Sequence, residues 1–315
     1  MDQQQQSNPP PPKPRPSPPV DVSPAPAPWE LQAKLYLFTR SLGPDKSTRE
    51  DPVLQGLPPA SYNPSETVHP SSLALVNDAP QWKGGLGHVI LVRYEASPVG
   101  PYDELIMGSD GWANPYEKRT SGRITNIYVS TLQSIWNGRR NWSMYRRCRF
   151  TFHRSPTRSS RRFLMMTVDD PHPLPDIPKH LARFEFVPTG SRTSTFKAFL
   201  PDAEKPFFAA SVTDSYLPGV PLPAILLNPF LRIVQPPLAG DPAHESPDEE
   251  WIAITPAYRG RWRVAYIQPA ETETGLERYG DGVQFPQIKP YWVGAKFTGS
   301  IDFPEGVKIN SSTVE

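Results

Sequence analysis

Apolar and polar positions alternate in short runs along most of the chain after residue 87. The runs at 88–97, 103–111, 123–131, 183–189, 195–201, 206–216, 251–269 and 288–303 are rich in β-branched and aromatic residues. Gly, Pro, Asn and Asp punctuate them, which is the pattern of half-buried strands separated by turns. Strand patterns outnumber helix patterns several-fold, and few are spaced as βαβ units. The expected fold class is therefore mainly β (α+β), an antiparallel barrel-like sheet or sandwich with a few peripheral helices. Such sheets enclose small-molecule pockets. Upstream, Leu31, Leu35, Phe38 and Leu42 are spaced 4, 3 and 4. That spacing predicts a helix between Pro28 and Gly43, with proline at its start and glycine at its stop. Residues 44–80 are rich in proline, serine and asparagine and read as irregular coil.

Composition sets the limits of this domain. Residues 1–28 hold 11 prolines and almost nothing to bury. They read as a disordered, polyproline-II-rich tail, which leaves 29–315 as one domain. The formal net charge of +1 gives no overall field for nucleic acid or an anionic membrane. Cys148 is the single cysteine, so no intramolecular disulfide framework exists and a reducing compartment is expected. The six histidines show no zinc-type spacing. The N-terminus has no apolar core of signal-peptide type. The most apolar stretch, 221–238, is too short and too broken by proline to span a bilayer. The expectation is a soluble cytoplasmic protein without nucleic-acid, membrane or metal partners.

One segment departs from this texture. Residues 143–175 contain seven arginines, two aspartates and no lysine, a charge of +5, together with three of the five methionines. The segment has no clear period of 2 or 3.6 and reads as an unstructured basic insertion in the domain.

The candidate chemistry lies on either side of that insertion. Three fragments occur in order: "GPYDELIMG" (100–108), "IYVSTLQSIWNGRRNW" (127–142) and "IPKHLARFEF" (177–186). Together they form a G-x-Y-x-E strand entry, a tyrosine-bearing strand, a Gly-Arg pair and a Pro-Lys before a β segment. This ordered set resembles the acetoacetate decarboxylase family. The resemblance implies that Lys179 is the nucleophile of a Schiff-base lyase acting on a β-keto acid or related carbonyl compound. It implies that Glu104 is a carboxylate near that lysine, that no cofactor is needed, and that homo-oligomers form. Tyr102, His180 and Arg139 become pocket or supporting residues. His180 departs from the family pattern, which places a second lysine beside the first, and this puts acetoacetate itself in doubt as the substrate. Nothing in residues 44–87 selects the family's other arginine and carboxylate; Glu66 and His69 there carry no motif.

The spacing also marks the insertion. Arg139 and Lys179 are separated by 39 residues where the resemblance implies a short connection, and removing 143–175 leaves six. Ser-Met-Tyr at its start and Pro-Asp at its end permit codons of a retained intron. The alternative to the lyase is a non-catalytic β-barrel that binds a small apolar ligand, with Lys179 in the pocket wall. A basic adaptor acting through 143–162 is a third reading.

Overall fold

The computed structural model describes residues 21–64, 68, 70–142, 179–222, 232–237, 251–270 and 279–309; of Arg139 and Arg140 it describes the backbone only. The insertion 143–175, with Cys148, lies outside the described residues, as do Glu66 and His69. The first half of the described chain forms β1 (Trp29–Leu42), α1 (Pro70–Leu73), β2 (Gly85–Ala96), β3 (Tyr102–Asn114), β4 (Glu117–Val129) and α2 (Leu132–Asn141). Then come β5 (Lys179–Leu181), β6 (Arg183–Pro188), β7 (Thr193–Phe199), β8 (Phe208–Asp214) and β9 (Val220–Pro221). The last elements are β10 (Ile233–Gln235), β11 (Trp251–Ile254), β12 (Ala257–Pro269), β13 (Val293–Phe303) and β14 (Val307–Ile309). The protein is mainly β, as the alternation predicts.

All the strands join one mixed sheet in the order β14-β11-β10-β4-β3-β2-β1-β13-β12-β8-β7-β6, with β5 on β4 and β9 on β12. Neighbours run antiparallel except at β4, where β10 pairs in parallel at Gly122 and β5 in parallel over 127–129. The strand order does not close on itself. The chain nonetheless ties its two sides together, because only Ala182 separates β5, paired with β4, from β6, paired with β7. The Ala182 N–H donates to the Val129 carbonyl at 2.9 Å.

The helix expected between Pro28 and Gly43 is strand β1. Trp29, Leu31, Ala33 and Leu35 face one core of the sheet, while Tyr36 and Phe38 face the other. The misreading has a physical cause. A spacing of four is common to one face of a helix and one face of a strand. Burial on both faces near Leu35 and Tyr36 then breaks the period of two that would identify the strand.

Among the described residues of 44–80, one short helix, α1, is the only regular element. Buried amides fix them in place. Gln55 Nε2 donates to the Ser72 carbonyl at 2.7 Å, and the Gln81 N–H donates to Gln55 Oε1 at 2.8 Å. Of the tail expected to lack fixed structure, residues 21–28 are described, and Val22 is buried. Among the described residues, no helix is long and apolar enough to cross a membrane.

The sheet buries apolar side chains on both faces. One core gathers Trp29, Leu31, Leu35, Val92, Tyr94, Tyr102, Ile106, Ile127 and Val129 with Ile135 of α2. The other gathers Tyr36, Phe38, Val89, Leu91, Leu105, Met107 and Tyr128 with aromatic residues of β7 and β8. Strands β3 and β4 slip register between Met107 and Gly108, leaving Thr125 without a facing residue. This bulge reverses the alternation along β4. Ile124 and Ile127 therefore share the first face, which prepares the wall of the site described next.

Candidate active site around Lys179

Strand register places Lys179 and Glu104 on the same face. Lys179 pairs with Ile127, Ile127 with Ile106, and Glu104 with Val129. Side chains opposite one another in a ladder point the same way, so both functional groups turn into the first core. Lys179 Nζ lies 3.6 Å from Glu104 Oε1. Both residues are only 4% exposed. The Tyr102 ring centre is 5.9 Å from Nζ, and the Tyr102 ring lies tilted against Tyr94 with centres 4.4 Å apart.

The pair opens into a cavity of about 60 Å³. Its wall is mostly apolar: Trp29 and Leu31 from β1, Ile124 and Ile127 from β4, Trp142 just after α2, Ile254 from β11 and Phe303 from β13. Gln235 of β10 adds an amide. Among the described residues of this wall, Lys179 is the only cation and Glu104 the only anion. A buried charge is tolerated only when paired, so each of the two depends on the other.

The phenols around Glu104 respond to it. Burial pushes the Tyr94 hydroxyl well above its usual range, and the charge of Glu104 and a hydrogen bond to it act in the same direction. Tyr102 is raised by burial first and by the Glu104 charge second, and so is Tyr258. All three phenols stay protonated across the neutral range.

Helix α2 supports the site from outside. Thr131 caps it, its hydroxyl oxygen accepting from the Ser134 N–H at 3.3 Å. Ile135 points into the first core, and Trp142 closes the helix against the cavity. The Trp142 indole N–H donates to the Pro304 carbonyl at 2.7 Å.

The structure therefore brings together Lys179, Glu104 and Tyr102 of the residues predicted from sequence. It does not bring His180 to them. His180 pairs with Tyr128 on β4 and turns to the opposite face, 5.7 Å from the Tyr128 ring. Adjacent residues of a strand point apart, so the neighbour of Lys179 in sequence is not the neighbour of its amine. Arg139 lies on α2, and its side chain is outside the described residues. Sequence reading missed Tyr94, Trp29, Trp142 and Gln235. Trp29 was hidden by the helical reading of β1, and Gln235 sits in a three-residue strand too short to show a period.

Comparison with protein-family models finds no match, and comparison with curated protein sequences finds none. Solved structures do match. The acetoacetate decarboxylase of Legionella pneumophila superposes with a TM-score of 0.52 at 11% identity, over 94% of this chain and 92% of that chain. The fold is that of acetoacetate decarboxylase. The enduracididine biosynthesis enzyme MppR complexed with pyruvate has a TM-score of 0.49 at 11% identity, over 93% of this chain and 95% of that chain. An acetoacetate decarboxylase-like enzyme from Sphingomonas wittichii has a TM-score of 0.47 at 12% identity, over 93% and 98%. On this acetoacetate decarboxylase fold, the buried lysine and carboxylate lie where β3, β4 and β5 meet.

Proposed function

We propose that this protein is a lyase that forms an imine between Lys179 and a small keto acid and releases carbon dioxide. The observation that carries this reading is the buried pair itself: Lys179 Nζ at 3.6 Å from Glu104 Oε1, facing an apolar cavity. Glu104 is the one anion in a described wall that is otherwise mostly apolar, so the amine faces both a proton acceptor and space for a small molecule.

The chemistry follows from the two groups. An amine attacks a carbonyl only when neutral, so Lys179 must give up a proton. Glu104 stands where it can take that proton, and the transfer leaves no charge buried. The neutral amine adds to the ketone, and the adduct takes back the proton held by Glu104 and loses water to give a protonated imine. In a β-keto acid, the bond to the carboxylate carbon then breaks. Its electron pair moves into the iminium nitrogen as an enamine, and carbon dioxide leaves. Protonation of the enamine carbon and addition of water release the ketone and restore the amine. The apolar wall favours this step, because it converts a carboxylate into an uncharged product.

The cavity limits the substrate. One water occupies about 10–15 Å³ of such volume, so about 60 Å³ holds on the order of four waters. That suits a carbonyl compound of a few heavy atoms. The test is reduction with borohydride in the presence of pyruvate or acetoacetate, followed by peptide mass spectrometry. Lys179 gains the mass of the reduced adduct, and Lys179→Ala does not label. Labelling that persists in Lys179→Ala assigns the chemistry elsewhere.

A second reading has one observation in its favour. No arginine lines the described wall of the cavity, so a substrate carboxylate finds no cation there besides Lys179. This favours a β-sheet pocket that holds a small apolar ligand without reacting. Saturable binding of a short ketone with no borohydride adduct would select that reading.

A further inference from the structure

Residues 21–25 run along α2, and three amides of the helix bind their backbone. Gln133, Asn137 and Asn141 are four residues apart, so they stack along one side of the helix. Gln133 Nε2 donates to the Asp21 carbonyl at 3.3 Å, Asn137 Nδ2 to the Ser23 carbonyl at 3.0 Å, and Asn141 Nδ2 to the Ala25 carbonyl at 2.8 Å. Asn137 Oδ1 also accepts from the Ala25 N–H at 2.6 Å. Each step is four residues on the helix and two on the strap. Four helical residues advance about 6 Å, and two residues of extended or polyproline chain advance about 6.2–6.8 Å. The two repeats match, which is why every second carbonyl of the strap meets an amide. Asn137, at the centre, is fully buried.

The strap also reaches the cavity. The Ala25 carbonyl accepts a second hydrogen bond, from the Trp29 indole N–H at 2.9 Å. Trp29 meets Trp142 edge to face, with ring centres 5.0 Å apart. Both indoles wall the Lys179 cavity. Ala25 is thus a junction. Its N–H is held by α2, while its carbonyl is held by both α2 and Trp29. Only residues 130 and 131 separate β4 from α2, which gives the helix its first attachment. The strap supplies a second, independent attachment.

We infer that Asn137 is a positioning residue for the chemistry of Lys179, acting through the strap: it fixes Ala25, and Ala25 fixes the Trp29–Trp142 wall. The labelling readout rests on the imine reading above; the exchange readout does not.

Two substitutions in the full chain remove the same bond from opposite sides. Asn137→Ala deletes the acceptor. Ala25→Pro deletes the donor, keeps the Ala25 carbonyl, and suits a strap that already carries Pro24 and Pro26. Each variant is treated with acetoacetate or pyruvate and borohydride over a range of concentrations, and each is also followed by hydrogen exchange. The expected result is a fall on the order of tenfold in the labelling rate at saturating keto acid. The double variant is expected to be no slower than Asn137→Ala alone, since that substitution already removes the one bond that Ala25→Pro deletes, along with the Asn137 bond to the Ser23 carbonyl. Peptides covering 29–35 and 132–142 exchange faster in both variants, while 193–214 is unchanged. Wild-type labelling rates in both variants overturn the inference, and so do effects that multiply in the double variant. If one single variant fails to fold, the other decides by the same two readouts. If the wild-type chain never labels, the imine reading fails. Faster exchange in 29–35 and 132–142 then still supports the strap, and unchanged exchange there overturns it.

Discussion

The two faces of the β3–β4–β5 ladder bury polar groups in opposite ways. On one face, Lys179 and Glu104 form a charged pair at 3.6 Å beside a cavity. On the other face, Tyr128 sits in a neutral network. Its hydroxyl oxygen accepts from Asn63 Nδ2 at 2.7 Å and lies 3.1 Å from the Gln284 carbonyl and 3.0 Å from Gln284 Oε1. Asn126 Nδ2 donates to the same Gln284 carbonyl at 2.8 Å. A neutral network of this kind holds a loop against a sheet without burying charge. The charged pair instead borders the cavity, with the Tyr94 hydroxyl also hydrogen-bonded to Glu104. The neutral network ties 281–285 and residue 63 to β4; the charged pair leaves an amine and a carboxylate facing the cavity. Lys179 and His180, adjacent in sequence, belong to the two different faces.

The largest expected effect is on the charged face. Lys179→Ala abolishes the borohydride adduct and leaves Glu104 uncompensated, a loss of about 3–5 kcal/mol. The paired change Lys179→Met with Glu104→Gln removes both charges. It recovers most of that stability in a urea melt while never labelling, which separates the cost of the pair from its use. A double variant as unstable as Lys179→Ala would show that the pair is not coupled.

Alkali should act on the same face. Tyr94, Tyr102 and Tyr258 all have hydroxyls raised by burial and by the Glu104 charge. Their folded values exceed the value of about 10 that they take in the unfolded chain. The stability tied to these phenols is therefore complete below pH of about 10 and is lost as pH rises towards the folded values. Glu104→Gln lowers the folded values, so this variant loses less stability than the wild type once pH rises far enough beyond the unfolded value to approach the folded ones. Equal losses in the two proteins would remove Glu104 as a cause.

The neutral face predicts a smaller effect, on folding alone. Tyr128→Phe strips partners from Asn63 and Gln284 and costs about 1–3 kcal/mol. It leaves labelling at Lys179 unchanged, as does His180→Ala. Loss of labelling in either variant would mean that the two faces communicate. The smallest effect concerns the connection between α2 and β5. Replacing Ser143–Asp176 by a single asparagine shortens it and stabilises the chain by about 1.7 kcal/mol on loop-closure entropy. Thermal melting of the two chains checks the sign.

The strand content was legible in the sequence because alternation is a local property. Residues 88–97, 183–189 and 195–201 each carry enough β-branched and aromatic positions to name their own conformation, and each lies close to an observed strand. Pro178-Lys179 before a β segment and the glutamate of G-x-Y-x-E pointed to Lys179 and Glu104 through the family resemblance that the ordered motifs carry. Three features were not local. The conformation of 29–42 depended on a second core covering Tyr36 and Phe38, since spacing by four fits helix and strand alike. The side on which His180 falls was decided by the register of β5 on β4, because each successive residue of a strand changes face. The cavity was decided by Trp29, Trp142, Ile254 and Phe303, residues from four distant stretches that only packing brings to one lysine. Sequence order determines which residues can take part; which of them share a face, and so can react together, is set by the pairing of strands far apart in the chain.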